Sequence, residues 1–159
     1  MSKRQKTNVV YIPVGVPGSG KSTWFANQGF DPNKTAYVSM DDIRGKLCGD
    51  VSDQSQNAKV GAIAKSMFTL ALSIEIPVVY WDATSVKRKY RKELISLAKK
   101  AGYKVVAVFF DIPLEVSKVR NAGRDRVVPE HVLDAMYKSM TDQPPTKDEG
   151  FDKIIRITD

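Results

Sequence analysis

The stretch Gly15-Val16-Pro17-Gly18-Ser19-Gly20-Lys21-Ser22-Thr23 constrains this chain more than any other. It fits the phosphate-loop pattern G-x-x-x-x-G-K-[ST], with Gly15, Gly20, Lys21 and Ser22 at the fixed positions. Such a loop turns several backbone N–H groups into one concavity, and it needs glycine where a side chain would block the anion. Lys21 is placed to reach the β- and γ-phosphates, and the Ser22 hydroxyl to sit on magnesium. Gly15, Pro17, Gly18, Ser19, Gly20, Lys21, Ser22 and Thr23 are thus the expected nucleotide-holding residues. The flanks agree with the motif. Val9 to Val14 is a short β-rich run, and Ser22 to Asn27 continues as a helix that Gly29 can stop. A dinucleotide fingerprint fits less well, because Thr23 stands where its third glycine belongs.

The rest of the chain alternates strand and helix signals. Residues 1–7 are a polar, basic arm, and residues 8–159 read as one domain. Asp31-Pro32-Asn33 is a turn signal. Thr35 to Ser39 is a strand leading into Met40-Asp41-Asp42-Ile43-Arg44, a helix start whose acids suit the helix dipole. From Asn57 to Ser73 the spacing is helical, with Val60, Ile63, Ala64, Met67, Leu70 and Ala71 as the apolar stripe. Val78 to Trp81 is a buried-type strand ending at Asp82. Thr84 or Ser85 can cap the next helix, from about Val86 to Lys100, with Tyr90, Leu94, Leu97 and Ala98 facing inward. Tyr103 to Phe110 is a further strand, and Pro113 sits near the first turn of the helix after it. Pro129-Glu130 opens a helix to about Met140, and Phe151 to Thr158 supplies a last strand. The pattern predicts an α/β fold, a parallel sheet of about five strands with helices on both faces. Ligands then bind at the carboxyl ends of the strands. That rule gathers residues 15–22, Asp41, Arg44, Asp82 and the 121–127 loop around one cleft.

Composition narrows the class. Apolar residues make up 42% and charged residues 27% of 159 positions, an ordinary globular balance. No apolar run approaches the length of a membrane span, and the basic N-terminus is not followed by the apolar stretch of a secretory signal. The single Cys48 rules out an internal disulfide and a cysteine metal cluster, and fits a reducing cytoplasm. A net charge of +7 suits a polyanionic partner or a generic basic surface.

Several residues outside the loop carry chemistry. Asp41 follows the second strand, where a phosphoryl-transfer enzyme needs a carboxylate to orient and deprotonate an acceptor hydroxyl. Arg44 lies one helical turn on, placed to grip an acceptor phosphate. Asp82 ends a buried strand, as an acid that holds magnesium, binds acceptor groups or caps the next helix. Arg120, Arg124 and Arg126 surround Gly123 in a segment composed like a lid, where guanidinium groups offset transition-state charge. The run from Lys87 to Lys92 is a basic rim for a nucleic-acid backbone, or a solvated helix face. His131, the only histidine, reads as a surface residue.

With these residues in place, the chain resembles the kinase domain of phage-type 5′-polynucleotide kinases, within the P-loop kinase group. The likeness rests on residues 15–24, on Met40-Asp41-Asp42-Ile43-Arg44, and on Asp82-Ala83-Thr84 with its basic helix. It also rests on the course from Val105 through Asp111-Ile112-Pro113 to Met136-Tyr137-Lys138-Ser139-Met140. The resemblance implies ATP and Mg2+ as donor and metal, and a 5′-hydroxyl end of DNA or RNA as acceptor. It implies Lys21 and Ser22 at the nucleotide and magnesium, Asp41 as general base, and Arg44 at the 3′-phosphate of the terminal nucleotide. Asp82 and Thr84 fall in the acceptor region, Arg120 near the donor nucleotide, and Arg124 or Arg126 at the lid position. The segment between Arg120 and Val128 is about one residue shorter than the family pattern, so the lid role falls to either arginine. The stretch between Arg44 and Asp82 is also shorter. The Asp-x-Asp-x-Thr segment of a fused 3′-phosphatase is missing, so that activity is not expected. Two other readings share the motif. One is a P-loop kinase of a nucleoside, sugar or antibiotic; the other is a nucleotide-binding regulator without nucleic-acid kinase activity.

Overall fold

A computed structural model describes residues 7–50, 55–124 and 127–158. Five strands form one sheet: β1 (Val9–Val14), β2 (Thr35–Ser39), β3 (Val78–Asp82), β4 (Lys104–Phe110) and β5 (Lys153–Ile157). Their order is β2-β3-β1-β4-β5, and every pairing is parallel. The α/β expectation holds in full. Parallel neighbours need crossovers, and the helices supply them. They are α1 (Lys21–Asn27), α2 (Met40–Cys48), α3 (Asn57–Ser73), α4 (Arg88–Lys100), α5 (Leu114–Ala122) and α6 (Glu130–Asp142). None of the described helices is long and apolar enough to cross a membrane.

Strand alternation decides which face each residue serves. Val10, Ile12, Val79, Val105 and Ala107 pack under α3 and α4. Val108 and Phe110 face the other way, with Tyr11, Trp24 of α1 and Val116 of α5. On that second face three tyrosines stand abreast. Tyr37 pairs with Tyr80, and Tyr80 with Tyr11, across three adjacent strands. The Trp24 and Phe25 rings lie against them, Trp24 stacked on Tyr80 at 6.2 Å between centroids and Phe25 4.7 Å from both Tyr37 and Tyr80. Helix α1 has no fully buried residue, so this aromatic layer is what seats it.

Four expectations need correction. The buried stripe of α3 is Val60, Ala64, Phe68, Ala71 and Leu72. Ile63, Met67 and Leu70 are exposed instead. The helix is apolar on two flanks, and the side that carries Phe68 wins because its ring meets Trp81 edge-on at 5.4 Å. Neither Thr84 nor Ser85 caps α4. The helix starts at Arg88, with Lys87 at its N-cap and no side-chain cap. The Thr84 carbonyl accepts from the Gly15 N–H at 3.1 Å, and Ser85 adopts a positive φ of 49°. Tyr90 is 52% exposed rather than inward. In its place the core takes Arg91, fully buried within the supposed basic rim. Arg91 donates to Glu149 Oε1 at 2.8 Å, and to the carbonyls of Ser85 and Gln143 at 3.0 and 2.9 Å.

Candidate active site

The carboxyl ends of β1, β2 and β3 open onto one cleft of about 1240 Å3. Its floor is the loop from Pro17 to Thr23. Gly18 and Gly20 take φ of 82° and 105°, a region in which a side chain is strained. At Gly18 a Cβ would also stand 2.7 Å from the Ser117 carbonyl oxygen, so α5 presses directly on the loop. Gly15 is buried behind it, where a Cβ would strike the Ser19 hydroxyl at 2.5 Å.

Lys21 folds back over the loop. Its Nζ donates to the Gly15 and Val16 carbonyls at 3.1 and 3.0 Å. The residue keeps some exposure, but the ammonium is turned into the loop. Burial lowers its pKa to about 8 against the pull of Asp82, with Arg124 adding to the depression. Tyr80 donates to the Lys21 carbonyl at 3.0 Å and ties the start of α1 to β3.

Asp41 and Arg44 meet on the first turns of α2. The Ser39 hydroxyl caps this helix by accepting from the Asp42 N–H at 3.2 Å. Arg44 is 8% exposed and donates Nη1–H to Asp41 Oδ1 at 2.8 Å. Its Nε and Nη2 donate to Asn57 Oδ1 of α3 at 3.3 and 3.2 Å. The other Asp41 oxygen lies 3.7 Å from Arg124 Nη2. The Nη1 of Arg124 is buried with no hydrogen-bond partner among the described residues. A buried guanidinium nitrogen without an acceptor fits a site awaiting an anion.

At the end of β3 the Tyr37 hydroxyl donates to Asp82 Oδ2. The Ser22 hydroxyl lies close enough to the same phenol to oppose part of the rise in its pKa. Burial, reinforced by the Asp82 charge, raises the Tyr37 pKa. Ser22 and Asp82 therefore offer two hard oxygens around one phenol, a donor set suited to magnesium. No group of three or more His, Cys, Asp and Glu residues able to hold a metal occurs among the described residues. A magnesium ion here would depend on phosphate and water for its remaining ligands.

Arg120 is exposed in the last turn of α5, its Nη1 3.9 Å from where a Cβ on Gly20 would stand. Asn121 is not part of a loose loop. It is buried, donates to the Val128 carbonyl at 2.8 Å and accepts from the Val128 N–H at 3.1 Å. The clamp joins the two ends of the segment that carries Arg124. Arg126 lies outside the described residues. Thr84 lines the cleft with Lys21, Asp41, Arg44, Asp82, Arg120 and Arg124, so one opening gathers them.

Sequence reasoning missed Tyr37, Tyr80, Asn57 and the anchoring role of Asn121. The tyrosines sit at alternate, inward strand positions, which gives a faint signal. Asn57 gives none, because its partner Arg44 lies across an intervening loop.

A P-loop at the end of the central strand of a 2-3-1-4-5 parallel sheet, with Asp82 ending the adjacent β3 and Asp41 just past the end of β2, defines a P-loop kinase fold. Residues 10–144 match the family model described as an AAA domain, and the chain belongs to that family. Among solved structures, a chain of the Pnkp1/Rnl/Hen1 RNA repair complex is similar with a TM-score of 0.73 and 19% identity, over 94% of this chain and 48% of that one. A chain of the PezAT chromosomal toxin–antitoxin system of Streptococcus pneumoniae gives 0.75 and 18%, over 98% and 70%. A fungal RNA kinase gives 0.63 and 20%, over 96% and 38%. At such identities the likeness is one of fold. This chain spans about half of the first of these, 48% of its length. The fold implies nucleotide binding at the P-loop.

Proposed function

We propose that this chain is an ATP-dependent 5′-hydroxyl polynucleotide kinase, with residues 8–159 acting as one catalytic domain. The observation that carries the reading is the Asp41–Arg44 pair. A carboxylate and a buried arginine converge in the cleft that Lys21 lines, with Arg124 beside them. Two of the similar chains come from an RNA repair complex and an RNA kinase, which supports a nucleic-acid acceptor.

The loop amides and Lys21 hold the triphosphate. Asp41 accepts the proton of the terminal 5′-hydroxyl as that oxygen bonds to the γ-phosphorus. The bond from the γ-phosphorus to the β,γ-bridging oxygen breaks, and ADP leaves. Arg44, held from behind by Asn57, binds the 3′-phosphate of the terminal nucleotide. Arg124 offsets charge on the transferring phosphoryl, and Arg120 lies along the donor nucleotide. Ser22 and Asp82 would hold magnesium, which neutralises charge on the phosphates when bound. Thr84 lies beside Asp82 on the acceptor side. A P-loop kinase of a small alcohol has the same fold, because the fold does not fix the acceptor.

The test uses γ-labelled ATP, magnesium and a 5′-hydroxyl oligonucleotide, with the 5′-phosphorylated oligonucleotide as control. Label on the first alone is the expected result. Label on neither, with Lys21-dependent ATP binding intact, overturns the acceptor.

A further inference from the structure

Tyr90 is an aromatic residue that the core does not use. Helix α4 buries Arg91, Leu94, Ile95 and Ala98, and Tyr90 falls beside that stripe with half its surface open. It is not an isolated ring on a solvated face. Tyr90 lines the same cleft as Asp41 and Arg44, together with Lys89 and Glu93 of its own helix and Asn57 and Val60 of α3. Glu93 is bridged to Lys65 of α3, so the helix that carries the ring is tied to the neighbouring wall. Two ammonium groups flank the ring: Lys87 Nζ is 5.9 Å and Lys89 Nζ 5.3 Å from its centroid. Those distances lie within cation–π range.

An exposed ring with cations close by is the arrangement that holds single-stranded nucleic acid. Bases stack on the ring, and cations meet the phosphates between them. The placement is on the acceptor side: Glu93, one turn on from Tyr90, is bridged to α3, the helix whose Asn57 holds Arg44, and all of them but Lys65 line the one cleft. We propose that Tyr90 is a stacking platform for a nucleobase near the 5′ end of the acceptor strand, with Lys87 and Lys89 swinging from the ring to its phosphates. The proposal rests on the polynucleotide reading above.

The experiment measures KM and kcat for wild type, Tyr90→Ala, Tyr90→Phe and Tyr90→Trp. The acceptors are a 5′-hydroxyl oligonucleotide and versions with one abasic position among the first three nucleotides. Tyr90→Ala raises the KM for the intact oligonucleotide about tenfold, the effect of losing one base–aromatic stack. The KM for ATP stays unchanged. Tyr90→Phe and Tyr90→Trp keep the ring and restore the acceptor KM. One abasic position raises the wild-type KM to the same extent and removes the difference between wild type and Tyr90→Ala. Two results overturn the platform and leave the kinase reading standing: Tyr90→Ala at the wild-type acceptor KM, or a defect that no abasic position reproduces. A Tyr90→Ala defect shared equally by ATP also overturns it. No transfer by wild type to any oligonucleotide overturns both.

Discussion

Arg44 and Asp41 stand one helical turn apart on α2, with Nη1 of the arginine 2.8 Å from Oδ1 of the aspartate. The arginine spends its other nitrogens on Asn57, so it is fixed from behind and points one face at Asp41. If Asp41 takes the acceptor proton, Asp41→Asn keeps the shape and loses the base. Transfer should fall by about 10²–10⁴, the usual contribution of general-base catalysis. ATP binding by isothermal titration should stay within about twofold, because the general base acts on the acceptor and not on the donor. An equal loss of both would show that Asp41 is needed to shape the cleft and not to take a proton.

Arg91 and Glu149 make the second important pair, and it serves the fold. Both side chains are enclosed, at 0% and 3% exposure. Removing one partner leaves a buried charge, so Glu149→Ala should destabilise by about 3–5 kcal/mol. Replacing both by apolar residues of similar volume should cost much less. Chemical denaturation of the Glu149→Ala and the double Arg91→Met, Glu149→Leu variants would show the contrast. A double variant as unstable as the single one would mean that the carbonyl bonds from Arg91 to Ser85 and Gln143 carry the stability.

The loop's glycines give a third prediction. A methyl group at Gly18 would meet two backbone atoms of α5, the Ser117 oxygen at 2.7 Å and the Asn121 nitrogen at 3.0 Å. Backbone cannot rotate aside as a side chain can, and the positive φ adds strain of about 1–3 kcal/mol. Gly18→Ala should weaken ATP binding at least tenfold, because the loop must leave α5 to accept the methyl. Gly61, with open space around its Cβ position, is the control: Gly61→Ala should leave binding unchanged.

The sheet was legible because local rules sufficed for it. Each strand is a short run rich in β-branched or aromatic residues, each of the first four is followed by a helix, and parallel pairing follows from that alternation. Lys21, Asp41, Arg44 and Asp82 were legible as a group because they follow strand ends. What escaped depends on contacts distant in sequence. Arg91 sits among exposed cations, and its burial is explained by partners such as Glu149, 58 positions later, and the Gln143 carbonyl. Phe68 outcompetes Met67 and Leu70 because Trp81 of β3 waits for an aromatic ring. Asn121 closes a loop onto Val128, which no periodicity records.

Lys21 gives the last prediction through its pKa of about 8. In the unfolded chain a lysine titrates near 10.5. Burial disfavours the ammonium in the fold, so below pH 8 the folded state carries a cost that the unfolded state does not. Between about pH 8 and 10.5 the unfolded chain binds more protons than the folded one, and stability from this group rises with pH. Lys21→Met has no such cost. Without nucleotide it should melt higher than wild type at pH 7, and the gap should narrow as the pH rises to about 10.5. Nucleotide reverses the balance. A triphosphate against Lys21 favours the charged form, so ATP binding above pH 8 takes up a proton and weakens as pH rises. Calorimetry in buffers of different ionisation enthalpy would read that proton directly. Lys21→Arg stays charged throughout and should show none. Uptake that persists in Lys21→Arg would place the titrating group elsewhere in the cleft.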